Sequence, residues 1–238
     1  MKYFYDLHIH TALSPCADIL MSPNNILNMS MLKELNIIAV TDHNSCLQLD
    51  VINELTEAFE MLVIPGAEVE VCEKYHVVCL FKNFDVAKDF QKILESKLSD
   101  RMHDEIIYGE QNLFDVYDDI TYNYQTSLMG SSNISLKELN DIIKNLDGIM
   151  ILAHIEKYGL DIFEKVKDEY FDYFDAIEVN ANYDIAKIES KLDERFMILR
   201  NSDAHQIVDI SEAVNFIELS ELSIECFFET IRGKKYNG

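Results

Sequence analysis

The chain has 238 residues, enough to bury a sizeable core in one domain spanning residues 1–238. It carries 43 Asp plus Glu against 20 Lys plus Arg, and this net charge of −23 argues against partners that need a basic surface, namely duplex DNA and anionic membrane. No run of about 18 apolar residues predicts a membrane span, and the five cysteines follow no CxxC pattern, so reduced thiols and a cytoplasmic location are expected.

The first predicted strand is "KYFYDLHI". Side chains alternate across a strand, so Asp6, His8 and His10 are expected on one face. Two imidazoles at i and i+2 can chelate one ion, with Asp6 holding a ring from behind. Ser22 as N-cap and Pro23 at the first helical position predict a helix over Pro23 to Leu35. The strand "NIIAVT" runs into Asp42 and His43. A helix over Leu47 to Phe59 leads to "LVIPGAEVEV", which carries Glu68. His76 opens the strand "HVVCLF", and a helix over Val86 to Leu98 follows.

Residues of about 100–135 break this rhythm. They are acidic and rich in tyrosine, and they alternate like a hairpin around "YDD". This segment is predicted to be an insertion that covers the site. A helix over Leu136 to Leu146 then precedes "GIMILAH", which ends at His154, with Lys157 three residues on. Helices are predicted over Ile162 to Phe171, Ile185 to Lys191 and Ile224 to Arg232. Between them lie "DAIEVN", with Glu178 and Asn180 on one face, "FMILRNS", which leads to Asp203 and His205, and "AVNFIEL".

Alternating strand and helix predicts an α/β fold with a mainly parallel sheet. The strands begin apolar and end in His, Asp, Glu or Asn. In parallel α/β folds such ends converge on one face, where the active site is built. The mixture of imidazole and carboxylate suits Zn, Mn or Fe and not Ca.

The stretches "DLHIHTALSPCAD", "AVTDHNS", "PGAEVEV…H", "LAHIEK" and "NSDAH" occur in order. They resemble the successive motifs of the PHP (polymerase and histidinol phosphatase) family of metal-dependent phosphoesterases. The resemblance implies a distorted, TIM-like (β/α)7 barrel holding two or three Zn, Mn or Fe ions at the C-terminal strand ends. It implies that His8, His10, Glu68 and Asp203 hold one ion. Glu68, bridging, would hold a second with His76 and His154. Asp18, His43 and His205 would hold a third. Many family members read Ser-Asp-Gly soon after the His-x-His, whereas this chain reads "SPCAD". Asp18 is therefore the least secure ligand, and Cys16 is its nearest competitor.

A phosphoryl centre resists attack because its oxygens are negative. Divalent ions offset that charge and lower the pKa of a bridging water towards about 7. The expected activity is hydrolysis of a small phosphate monoester, such as a nucleotide or histidinol phosphate, by a metal-activated hydroxide. Asp203 and His205 are the expected participants in proton transfer. Lys157 and Asn180 are candidates to contact the substrate, and Asp42 and Glu178 to hold ligands from behind. A diesterase or exonuclease on short single strands, a non-catalytic metal-binding module and an amide hydrolase are the competing readings. A lysine bridging two ions would favour the amide hydrolase; here the bridging position is Glu68. The sequence leaves the oligomeric state open.

Overall fold

The computed structural model describes residues 1–98, 101–158, 168–184 and 197–233. Ten strands are described: β1 (Lys2–Ile9), β2 (Ile37–Val40), β3 (Leu62–Glu70), β4 (His76–Leu80), β5 (Asn112–Phe114), β6 (Ile120–Asn123), β7 (Ile149–Leu152), β8 (Ala176–Asn180), β9 (Met197–Asn201) and β10 (Phe216–Glu218). The described helices are α1 (Pro23–Leu32), α2 (Leu49–Thr56), α3 (Phe84–Lys97), α4 (Glu105–Tyr108), α5 (Leu136–Asn145), α6 (Asp168–Phe171) and α7 (Ile224–Gly233). The predicted helix over Ile185 to Lys191 and the first part of that over Ile162 to Phe171 lie outside the described residues.

One curled sheet runs in the order β10-β1-β2-β3-β4-β7-β8-β9. Seven of its strands form the wall of a distorted, TIM-like barrel, and β10 adds to the outer edge of β1. The wall is less parallel than alternation alone predicts. β4 runs antiparallel to both β3 and β7, because β3 turns straight back into β4 with Glu70 opposite His76. The short connection leaves no room for a crossover helix. It brings His76, the first residue of its strand, to the end of the barrel where the parallel strands finish. The wall meets itself at that end, where Ile9 bridges Ala204 and the Asn201 side chain accepts from Leu7 N at 2.9 Å.

Two apolar clusters flank the wall. Tyr5, Leu7, Ile37, Ala39, Ile64, Val78, Ile151, Ala176 and Leu199 fill the interior, with Phe227, Phe228 and Ile231 of α7 packed against them. The opposite strand faces pack against α1, α2, α3 and α5 through residues such as Ile38, Val40, Val69, Leu27 and Phe90. Burial of this kind stabilises at about 25 cal/mol per Å² of apolar surface.

β1 departs from strict alternation. Asp6 pairs with Ile38 and Ile9 with Val40, so three steps on β1 match two on β2. The extra residue lets Leu7 face the interior cluster while the adjacent His8 turns towards Glu68. Asp6 is therefore not behind the histidine rings, as parity suggests. Its carboxylate accepts from Ser202 N, Ser202 Oγ and Ser211 N at 2.6–3.1 Å.

Helix α1 ends earlier than predicted, at Leu32, where Glu34 adopts a positive φ of 59° and Leu35 N bonds back to Ser30 O. Ser22 does not cap α1 with its own side chain. Asp118, from the β5–β6 turn, accepts from Ser22 Oγ at 2.6 Å and from Asn24 N at 3.1 Å. A carboxylate there also meets the positive end of the helix dipole. The hairpin itself matches the prediction, turning over 115–119 with Asp115 Oδ1 accepting from Tyr117 N and Asp119 N. Among the described residues no helix is long and apolar enough to cross a membrane.

Gly66 has no space for a side chain. A Cβ there would lie 2.8 Å from Cys79 O, 2.8 Å from Leu80 Cδ2 and 2.9 Å from Thr41 Cγ2. Gly66→Ala should cost about 1–3 kcal/mol by overpacking, read as a lower urea midpoint at unchanged slope. An unchanged midpoint would refute this packing account.

Candidate metal centre

The strand ends bring most of the predicted ligands to one place. His8 and His10 come from β1 and the residue after it, and His43 from the loop after β2. Glu68 lies in β3 and His76 opens β4. Asp203 and His205 follow β9. Among the described residues, three groups have ligand atoms all within 4.8 Å of one another: His8, His10, Glu68 and Asp203; His43, Glu68 and His76; His10, His43 and His205.

Glu68 is the common centre. Its Oε1 lies 2.8 Å from His76 Nδ1, 2.9 Å from His154 Nε2 and 3.4 Å from His8 Nε2. Its Oε2 lies 2.8 Å from His43 Nδ1 and 3.4 Å from His10 Nε2. Asp203 Oδ1 sits 3.3 Å from His10 Nε2 and 3.5 Å from His8 Nε2. The backbone at this end is strained, with positive φ at Asn44 (46°), His154 (32°) and Asp203 (54°).

The ring orientations are fixed from behind. His8 Nδ1 meets both oxygens of Glu178, at 2.9 and 3.1 Å, which leaves Nε2 facing the group. Asn201 Nδ2 donates to Glu178 Oε2 at 2.7 Å, and His154 N donates to Oε1 at 3.2 Å. His10 Nδ1 meets Ser14 Oγ at 3.0 Å, and Ser14 Oγ donates to Asp42 Oδ1 at 2.7 Å. Asp42 also accepts from Thr11 N and Thr11 Oγ1, each at 2.7 Å. His205 Nδ1 meets the Asp203 carbonyl at 2.8 Å. Ser14 and Asn201 were not singled out from the sequence. Ser14 lay in plain view four residues after His10, but nothing in the sequence marks a serine as a ring anchor.

The remaining predicted residues fall less simply. His154 approaches Glu68 but joins none of the three groups. Asp18 joins none either: it is exposed, and its carboxylate turns back to accept from Leu20 N at 2.8 Å. His10 stands in the group where Asp18 was expected. Lys157 Nζ donates to Asp203 Oδ2 at 2.6 Å. Asn180 spends its side chain locally, donating to Ser202 O at 3.3 Å and accepting from Asn182 N at 3.1 Å.

The donor set passes a chemical test for cations. Glu68 Oε2 and Asp203 Oδ1 are buried without a hydrogen-bond partner. They stand 2.8 Å from His43 Nδ1 and 3.3 Å from His10 Nε2. Buried carboxylate oxygens are costly in that state, and a divalent ion would satisfy them. Residues of this kind fit Zn, Mn or Fe.

The field among the side chains is strong. Burial would raise the Glu68 carboxyl, but His8 and His43 outweigh it and hold the pKa well below the usual range. Burial likewise opposes Asp203, and His8 and His10 depress it. Burial would lower His8, but Glu178, Glu68 and Asp203 raise it well above the ordinary value. His10 is pushed down by burial and by His43. Burial would raise the Cys16 thiol, yet His205 and His43 bring it down to about 6.

The sequence matches the family model of the PHP domain over residues 6–217. The chain belongs to the PHP domain family. No curated protein matches it. Among solved structures, the PHP chain is similar to a lesion-specific endonuclease Q from Pyrococcus furiosus, with TM-score 0.70 and 19% identity. The match covers 98% of this chain and 56% of that one, so this chain spans little more than half of endonuclease Q. It is similar to an amidohydrolase from Chromobacterium violaceum with bound sulfate (TM-score 0.62, 15% identity, 95% and 96% of the two chains covered). A protein assigned as a metal-dependent phosphoesterase from Bifidobacterium adolescentis also matches (TM-score 0.59, 14% identity, 95% of each chain covered).

One expectation is corrected here. Endonuclease Q has been solved with a 27-mer duplex carrying an abasic lesion at the active site, in a structure that matches this chain at TM-score 0.67 and 17% identity. The match covers 98% of this chain and 57% of that one. Duplex DNA is therefore not excluded by a net charge of −23. The physical reason is that net charge describes the whole surface, while a phosphate responds to the field within a Debye length of about 8–10 Å.

Two outcomes follow from this geometry. Glu178→Gln should lower metal affinity about 10- to 100-fold by releasing His8 from its fixed orientation, measured by competition with a chromophoric chelator; unchanged affinity would remove Glu178 from the centre. In chelator-stripped protein, burial opposes charging of His43 but Glu68 raises it from 6.5 to about 10. Its contribution to stability is then complete below about pH 6.5 and is lost as pH rises through about 10. The melting temperature of stripped protein should fall across that window. Protein loaded with ions should lack this fall, because ligation keeps the imidazole neutral.

Proposed function

We propose that this PHP domain is a metal-dependent phosphoric ester hydrolase acting on a small phosphate monoester. The observation that carries this reading is Glu68: one buried carboxylate shared between two ligand groups, whose Oε2 has no hydrogen-bond partner among the described residues. One carboxylate shared by two ions would leave more positive charge for a phosphate than two separate acids would. Two or three divalent ions, when bound, supply charge neutralisation and a water acidified towards about pKa 7.

The side chains divide the remaining work. His8, His10, His43, Glu68, His76, Asp203 and His205 are the proposed ligands, with His154 packed onto Glu68 as a further donor. His8, His10 and Glu68 are closed to solvent, so they hold and do not touch substrate. Asp203 and His205 keep 12% and 26% of their side chains exposed, which makes them the ligands able to meet a reacting phosphate and its leaving oxygen. Burial and the His8 charge compete at Asp203, and His8 and His10 keep it ionised. Lys157, held at Asp203, offers a cation to the phosphate oxygens beside it. The free thiols of the five cysteines support a cytoplasmic location for the proposed enzyme.

A second reading has its own support. The likeness to endonuclease Q over 98% of this chain favours cleavage of a phosphodiester in DNA. One assay separates the two. Purified protein with Mn or Zn supplied is given a panel of phosphate monoesters, dinucleotides and a duplex with an abasic site. Release of inorganic phosphate from monoesters is expected. Strand cleavage without phosphate release would overturn the monoester reading in favour of the second. No turnover of anything, with ions bound, would make the domain a non-catalytic metal-binding module. Asp203→Asn should lower turnover by at least about 100-fold together with metal content; normal values of both would remove Asp203 from the mechanism.

A further inference from the structure

We propose that Tyr158 is a positioning residue for the ion site of His43, Glu68 and His76, and that it fixes His76 through the backbone. The inference rests on the metal-centre reading above and adds a residue that takes no part in ligation. Within that centre the rings of His8, His10 and His205 are held at Nδ1, by Glu178, Ser14 and the Asp203 carbonyl. His76 is placed differently. Its Nδ1 faces Glu68 Oε1 at 2.8 Å, and 25% of its side chain is exposed. Its Nε2 stands 3.6 Å from Glu70 Oε2, too far for a hydrogen bond. The ring therefore depends on where the backbone sets it.

The backbone of His76 is clamped on both sides by the segment that carries His154. Its carbonyl accepts from Ala153 N at 3.0 Å, and its N–H donates to Tyr158 Oη at 2.7 Å. Tyr158 reaches this point because the chain turns sharply after β7. His154 adopts a positive φ of 32°, Lys157 N donates to His154 O at 2.9 Å, and Ile155–Tyr158 form a short 3₁₀ turn. The phenol ring is itself fixed. It lies tilted at 5.7 Å from the His154 ring and meets Tyr75, the residue before His76, edge-on at 5.5 Å. Aromatic pairs favour such distances. One side chain thus touches two imidazoles that converge on Glu68 Oε1, His76 by a hydrogen bond and His154 by its ring. A phenylalanine would keep the ring contacts and lose the acceptor. The first N–H of β4 would then lack its partner, and His76 would be loosened from Glu68.

Metal affinity and amide exchange test this without reference to turnover. The ion-stripped full chain and its Tyr158→Phe, His76→Ala and double variants are titrated with Zn against a chromophoric chelator. Exchange at the His76 amide is followed by nuclear magnetic resonance. Tyr158→Phe should weaken one ion about 10- to 100-fold and leave the others at the parent affinity. In the His76→Ala background it should add no further loss, because its effect passes through that ring. The His76 amide of the ion-free parent should be protected, and Tyr158→Phe should speed its exchange about 2- to 10-fold. Parent affinity of Tyr158→Phe for every ion, a further loss in the absence of the His76 ring, or an unprotected amide in the parent would each overturn the proposal. An equal loss at all ions would also overturn it, since that is what a general loosening of the fold produces. A parent that takes up no ion would overturn the metal-centre reading and the proposal together.

Discussion

A single buried carboxylate organises this molecule. Glu68 has no solvent exposure, yet five imidazoles approach its two oxygens within 3.4 Å. An ionised carboxylate in a protein interior is expensive unless charges and hydrogen bonds surround it. The fold meets that demand by bringing four further segments to Glu68 on β3: the end of β1, the loop after β2, the start of β4 and the residue after β7. Each departs from regular parallel geometry: β1 takes an extra residue, Asn44 after β2 and His154 after β7 adopt positive φ, and β4 reverses.

The supporting shell shows how a hydrophobic wall carries such a cluster. The polar residues of the centre stand at one end of the wall; below them aliphatic side chains and the aromatic residues of α7 fill the interior. Polar side chains from neighbouring strands then hold the rings. Glu178 on β8 is itself held by Asn201 on β9, which in turn binds the backbone of β1. One chain of bonds thus closes the barrel and aims His8. Stability of the wall and orientation of a ligand are the same set of interactions, so a change in either is felt by both.

Much of this was legible in the sequence because the signals were local. Strand after strand ends in a polar residue, and His-x-His, Asp-His, Ala-His and Asp-Ala-His stand at those ends. What was not legible depends on partners distant in sequence. Parity placed Asp6 beside His8, but one extra residue in β1 turned it to Ser202 and Ser211. Ser22 reads as a helix cap, yet the cap is Asp118, 96 residues away. The family resemblance puts Asp18 at a ligand position, but a hydrogen bond to Leu20 N diverts its side chain. Net charge, summed over the whole chain, does not report the local field at one end of the barrel.

The Asp118 contact has a consequence for how this protein can change. The tyrosine-rich segment looks like a detachable lid, the sort of part that relatives could exchange to acquire new substrates. It is also a strut, since its turn closes the start of α1 and Asn112 N bonds to Ala12 O at 3.0 Å. Any replacement must therefore restore a helix cap and brace the loop that follows the first two histidines. Diversification of the mouth is bound to the integrity of the scaffold, and novelty there comes more readily by exchanging side chains than by exchanging whole loops.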